Sequence, residues 1–239
     1  MERTIAPPRN PGRLEVEAQH PLAHEEAGDI TLTDRAYRLL EELIATLQLP
    51  PGTTLTEQVL GKRLGIGRTP IREALQRLVR DGLILVIPRR GILVTDINLT
   101  TQLHLLETRR VVEGLMARLA AERADERERQ AFAELAARMR ESAIARDHMG
   151  FMRLDRRFNQ LLAETSRNEF AIRSMGLMTP LCRRFWFKHA KEAADLPLAS
   201  RLHAEIAEAI AREAPERAVA ATEHLLDYIE AFTRQTLEP

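Results

Sequence analysis

Apolar positions recur at two different periods along this chain, and the switch between them divides it. Ala36, Leu39, Leu40, Leu43 and Leu47 follow one another at helical spacing, and Thr33 is placed to cap the helix they define. Pro50-Pro51-Gly52 then imposes a turn. A second, short helix is expected after Thr56, its candidate N-cap, with Glu57 in the first turn and an end near Leu64-Gly65. The tight segment Gly65-Ile66-Gly67 leads into a third helix over about residues 68–81, which Gly82 stops. The period then drops to two. Leu83 to Ile87 and Gly91 to Thr95 are β-prone runs joined by Pro88-Arg89-Arg90, the pattern of a hairpin. Beyond Asp96 helical spacing returns in six segments, approximately 98–122, 126–146, 148–166, 168–192, 196–213 and 215–235. The expected fold is therefore mainly α. A winged helix-turn-helix over residues 31–96 precedes an all-α, six-helix antiparallel bundle over residues 97–239. Residues 1–30 carry four prolines and no periodicity, and are expected to form a disordered tail.

Charge changes this picture only once it is resolved along the chain. Lys and Arg together number 35, as do Asp and Glu, so the whole is formally neutral. Between Lys62 and Arg90, however, eight bases meet two acids, a local net charge of +6. A helix-turn-helix with a neutral surface could serve protein contacts; this one is built to neutralise phosphates, and double-stranded DNA is the expected partner. One cysteine, Cys182, excludes an intrachain disulfide and a cysteine-based zinc site, and fits a reducing cytosol. No apolar run approaches the roughly 18 residues of a membrane span, and the N-terminus lacks a signal-peptide core, so a soluble cytoplasmic protein is expected.

The third helix supplies the candidate readers. Arg68 stands at its start, where side chain and free N–H groups can meet a phosphate or a base edge, and Thr69 can donate to phosphate. Pro70 sits in the first turn, where a missing N–H costs little. Arg72 lies one turn beyond Arg68 on the same face and is long enough to grip a guanine edge with two hydrogen bonds. Arg77 suits either phosphate contact or a solvated face, and Arg89 and Arg90 at the hairpin tip suit a minor-groove or phosphate contact. The segments Leu49-Pro50-Pro51-Gly52-Thr53-Thr54-Leu55-Thr56-Glu57 and Gly67-Arg68-Thr69-Pro70-Ile71-Arg72-Glu73-Ala74-Leu75 together resemble the GntR family of transcription regulators, and Gly82-Leu83-Ile84 followed by Gly91 extends the match into the wing. Two departures from that resemblance bear on DNA. Gly67 replaces the usual serine cap, and Gln58 replaces an arginine of the second helix, so one phosphate contact is lost or becomes a base contact through the amide.

In the second half, Asp155 and Asn159 share one helix face among Phe151, Met152, Phe158 and Leu162. His203 has Ala199, Ile206, Ala207 and Ile210 as helical neighbours, and His224 has Ala220, Ala221 and Tyr228. Polar groups on faces expected to be dry need partners. They satisfy one another either by holding a divalent metal or as a metal-free hydrogen-bonded network. Glu107-Thr108-Arg109, Asp155-Arg156-Arg157-Phe158-Asn159, His203 and His224 resemble the FCD effector domain of the FadR-type branch of GntR regulators, in its six-helix, VanR-type form. That resemblance implies a metal held by Asp155, Asn159, His203 and His224. Asn159 stands where histidine is usual, which favours partial occupancy by zinc, or manganese or nickel. It also implies that Arg109 faces a ligand cavity, where a guanidinium would clamp a carboxylate effector. An ion pair with Glu113, four residues on, is the alternative. Trp186 and Tyr228 are possible cavity walls.

The function expected is that of a ligand-responsive regulator, not an enzyme: a homodimeric repressor on a palindromic operator, released by a small organic acid. The competing reading is a metal-dependent enzyme using Asp155, His203 and His224.

Overall fold

A computed structural model describes residues 30–88, 91–145, 147–193 and 195–236. The expected N-terminal tail, apart from Ile30, and the wing-tip residues Arg89 and Arg90 lie outside them. Among the described residues the chain builds α1 (Leu32–Ala45), β1 (Thr54–Leu55), α2 (Glu57–Leu64), α3 (Arg68–Arg80), β2 (Ile84–Ile87) and β3 (Gly91–Val94). The second half follows as α4 (Leu99–Arg123), α5 (Glu126–Ala145), α6 (His148–Ser166), α7 (Glu169–Ala193), α8 (Leu196–Ala211) and α9 (Pro215–Gln235).

Local chemistry sets most of these boundaries. Thr56 accepts a hydrogen bond from the Val59 N–H and caps α2, and Gly65 ends it in the left-handed region at φ 65°. Asn98, Asp147 and Asp195 cap α4, α6 and α8 in the same way. Thr33 does not cap α1, which already starts at Leu32; its hydroxyl donates to Glu73 of α3 instead. The two-residue β1 has too short a run to leave a periodic trace in the sequence. It forms because the turn around Gly52, at φ 80°, lays the chain beside β3. The sheet has the order β1-β3-β2, antiparallel throughout, with Leu55 opposite Ile92 and Ile84 opposite Val94.

Two apolar cores result. Leu40, Ile44, Leu60, Ile71, Leu78, Leu83 and Ile84 fill the first, under the winged helix. The second lies among the later helices and includes Leu106, Phe132, Met139, Phe158, Ile206, Leu226 and Ile229. α5 packs on α8, and α9 on both α4 and α8. From Leu32 on the described chain is one compact unit, and α1, packed on α3, also packs against α7 of the second half. Leu181 of α7 packs against the first core, next to Gly82. No helix among the described residues is long and apolar enough to cross a membrane.

Candidate functional site

α3 carries its polar side outward. Arg68, Thr69 and Arg72 are exposed, as is Gln58 on α2, while Ile71, Ala74, Leu75 and Leu78 are buried. Gly67 caps α3 with extended backbone and no side-chain hydrogen bond, so the first N–H groups of the helix have no hydroxyl over them. A phosphate is the natural acceptor for such donors. Arg72 is not idle: its Nε and one terminal nitrogen donate to the two carboxylate oxygens of Glu57, each at 3.0 Å. That pairing holds the Glu57 carboxyl below its ordinary value. A base contact by Arg72 would use the guanidinium N–H groups that Glu57 leaves over, or displace Glu57.

Arg77 belongs to a different role. It donates to Asp34 at 2.6 Å and lies 4.2 Å from the centre of the Tyr37 ring. Tyr37 in turn donates to Asp81 at 2.7 Å. These contacts tie α1 to α3 and give Arg77 a structural role beside the phosphate role considered for it. Helical phase is the reason: Arg77 falls between the buried stripe and the exposed one, against α1.

In the second half, α4, α6, α7, α8 and α9 enclose a cavity of about 690 Å³ of empty space, part of it open to solvent. Phe151, Trp186, Tyr228 and Phe232 make an aromatic wall. The Trp186 ring lies 4.9 Å from that of Phe232 and 6.4 Å from those of Phe151 and Tyr228. The Tyr228 hydroxyl donates to the Asp195 carbonyl, and burial raises its pKa to about 12. Arg109, Asp155, Asn159, Arg183 and His203 line the same cavity.

His203 Nδ1 lies 2.8 Å from the Ala199 carbonyl, which can only accept, so that nitrogen carries a proton. Its Nε2 lies 3.1 Å from Asp155 Oδ1. Burial opposes a charge on His203, but the hydrogen bond and attraction of Asp155 outweigh it and raise the pKa. Burial likewise opposes the Asp155 charge, and His203 more than compensates, leaving that carboxyl below its ordinary value. The edges of Phe151 and Phe158 fix the imidazole, with ring centres 5.5 and 5.7 Å away. Arg109 lines the cavity and also makes the ion pair weighed against that role, with Nε donating to Glu113 at 2.6 Å. Both partners are almost wholly buried. Burial weakens the Arg109 charge, yet Glu113 and Cys182 restore it and raise its pKa.

Asp155, Asn159 and His203 therefore come together as expected, but His224 does not. It is exposed, and Leu225, one position round the helix, faces the cavity with Ile229 and Phe232. The apolar positions of α9 set that phase, and His224 shares the outer face with Ala220 and Asp227. The remaining donors are one carboxylate, one imidazole and one amide whose nitrogen donates to Asp155 at 3.0 Å. Among the described residues no three His, Cys, Asp or Glu side chains gather as ligands. Tightly held zinc usually takes three or four strong protein donors, so the residues do not fit a resident zinc ion. The three-ligand set of the competing enzyme reading is likewise not assembled.

Sequence reasoning missed Gln102, Cys182 and Arg183 in the cavity wall. Arg183 carried a readable signal, a charged pair with Arg184 between Cys182 and Phe185 in an otherwise apolar run. Its partners were unreadable, because they lie about 140 positions earlier: Glu41 and Glu42 on α1 accept from Arg183 at 2.6–2.8 Å.

Residues 32–94 match the bacterial regulatory proteins of the gntR family, and residues 104–228 match the FCD domain. Among similar proteins, the HTH-type transcriptional repressor RspR of Escherichia coli is 26% identical over 203 residues, covering 84% of this chain and 88% of that one. The HTH-type regulator YdhC of Bacillus subtilis is 31% identical over 134 residues, covering 55% of this chain and 59% of that one. Among solved structures, E. coli McbR/YncC aligns at a TM-score of 0.73 over 87% of this chain and 100% of its own, at 19% identity. A GntR regulator from Rhodococcus sp. RHA1 aligns at 0.62 over 85% and 97%, at 23% identity. These structural likenesses concern the fold.

Proposed function

The chain belongs to the GntR family of bacterial transcription regulators, with an FCD effector domain, and from that premise we propose that it is a repressor whose hold on DNA is set by a small organic acid. One observation supports this reading above the others. The cavity presents Arg109, Arg183 and His203 to its interior and a single carboxylate, Asp155, while Glu113, Glu41 and Glu42, the acids that neutralise the arginines, are not among its lining residues. An anion entering this space meets guanidinium groups that line it, while their own acids stand behind the wall, and loses water to aromatic rings. The donor set speaks for direct recognition by side chains rather than through a bound metal.

The reading assigns DNA contact to Arg68, Thr69 and Arg72, to the α3 N-terminus, and to Gln58. Arg89 and Arg90 extend it to the wing. One winged helix makes few base contacts, so two copies on a palindromic operator are expected, and the name repressor attached to the relative RspR agrees with the direction proposed. The test begins with a duplex selected from a random library by the purified protein. A thermal-shift screen of organic acids then identifies binders, and fluorescence anisotropy measures DNA affinity with each. At least one stabilising acid is expected to weaken DNA binding. Unchanged DNA affinity with every such acid would refute the reading. Light scattering should give a dimer at micromolar concentration.

A further inference from the structure

We propose that Arg183 is where a cavity-bound anion acts on the DNA-binding half: an aromatic carboxylate takes the Arg183 guanidinium in exchange for Glu41 and Glu42 of α1. The proposal rests on the cavity being the effector site, and it adds the ligand class and the means of transmission.

Arg183 has two faces. It lines the cavity on α7, one helical turn before Trp186 of the aromatic wall. Its guanidinium also reaches α1. One terminal nitrogen donates to both oxygens of Glu41, at 2.6 and 2.8 Å, and the other to Glu42 at 2.8 Å. All three side chains are mostly buried, with exposures of 17%, 10% and 15%. Glu42 is shared with Arg156, at 2.6 Å, and Arg156 follows the cavity residue Asp155. Two adjacent carboxylates are thus held at the junction by two guanidiniums from the second half. The other cavity arginine cannot carry a signal in this way. Arg109 pairs with Glu113 of its own helix, so an exchange there ends within α4. An exchange at Arg183 ends in α1.

The consequence of removing that partner follows from burial. A carboxylate left in a site of low polarity without its cation is costly, so Glu41 must move, or take a proton. Burial already raises the Glu41 pKa despite Arg183. α1 is the element that holds the reading helix, through Thr33–Glu73, Asp34–Arg77 and Tyr37–Asp81. A displacement of α1 therefore reaches α3. The ligand class follows from the wall: flat rings at Phe151, Trp186, Tyr228 and Phe232 accept a ring, and the cations beyond accept its carboxylate.

Benzoate is the probe, with benzamide as its neutral counterpart. Calorimetry should show benzoate binding the wild-type protein, and benzamide binding it about tenfold more weakly or worse, as expected for loss of a charge-assisted hydrogen bond. Benzoate should weaken binding to the selected duplex. Arg183→Gln should bind benzoate roughly tenfold more weakly, and its DNA affinity should no longer respond. The double variant Glu41→Gln/Glu42→Gln leaves the cavity lining untouched and frees Arg183. It should bind benzoate at least as tightly as wild type, yet pass no change to the DNA. These opposite effects on ligand affinity separate the exchange from simple misfolding. A DNA response persisting in the double variant would overturn the exchange alone. Benzoate and benzamide binding alike, or no benzoate binding at millimolar concentration, would overturn the ligand class. Benzoate binding in wild type without any effect on DNA, with the same silence from every other bound acid, would instead sink the sensor reading beneath it.

Discussion

On the proposed reading, Arg72 and Glu57 form an exposed pair that would tune DNA affinity. The pair lies in high dielectric, so its own contribution to folding is small. Its effect on binding would be larger, because Glu57 holds the guanidinium and sets a negative charge where phosphates would approach. Arg72→Ala is expected to cost roughly 1–3 kcal/mol on the selected duplex and to relax preference at one base pair of each half-site. Glu57→Gln should tighten binding instead, most visibly at low salt; equal affinities for both variants and wild type at matched salt would remove Arg72 from the interface. His203 and Asp155 make the corresponding buried pair. The folded pKa of His203 is raised, so its stabilisation is complete below an unfolded value of about 6.5 and fades as pH climbs through the folded value. That of Asp155 is lowered, so its part is complete above about 3.9 and is lost only as pH falls through the folded value. The difference in melting temperature between wild type and His203→Gln should be largest near about pH 5.5 and should shrink by about pH 9. A difference that is flat or grows with pH would show that the imidazole is not held as a cation. Asn159→His, which adds a donor beside Asp155 and His203, should yield protein carrying about one zinc per chain by elemental analysis, where wild type carries background only. Zinc at stoichiometric level in wild type would reverse the judgement on the donor set.

At the scale of elements, caps and periodicity were legible and tertiary pairing was not. The six later helices start within a residue or two of where apolar spacing and capping residues placed them, since those signals are local. β1 was invisible because two residues have no period; only its partner β3 makes it a strand. The same limit separated His203 from His224. Both sit near apolar residues in sequence, and a shift of one position, about 100° of helix, puts one inside and the other outside. The wing shows what such pairing demands of a residue. Gly91 opens β3 at φ 97°, and a Cβ there would stand 2.9 Å from the Leu55 carbonyl oxygen. Backbone cannot yield as a side chain tip can, so Gly91→Ala should destabilise by about 1–3 kcal/mol and lower the melting midpoint by several degrees. A melting curve that overlays wild type would mean that β1 readily leaves the sheet.

At the scale of the whole molecule, the two cores meet through α7. Arg183 reaches α1, Leu181 reaches the first core, and Arg184 donates to the carbonyls of Thr95 and Asp96, where the halves join. Arg184 is 3% exposed, and burial lowers its pKa to about 10, although carbonyl oxygens and the Thr95 hydroxyl surround it. Pro180 lies just before these residues and cannot donate to the Gly176 carbonyl, so α7 lacks one of its own bonds one turn from the junction. The cavity thus shares a helix with every one of these joints. It also holds Trp186, the single tryptophan among 239 residues. Light absorbed by indole alone is therefore emitted from one place in the protein, and that place is the cavity wall. The colour and intensity of that emission should follow occupancy without any label, and Trp186→Phe should leave the protein dark to the same excitation. An acid that raises the melting temperature yet leaves the emission spectrum untouched has settled somewhere other than against this wall.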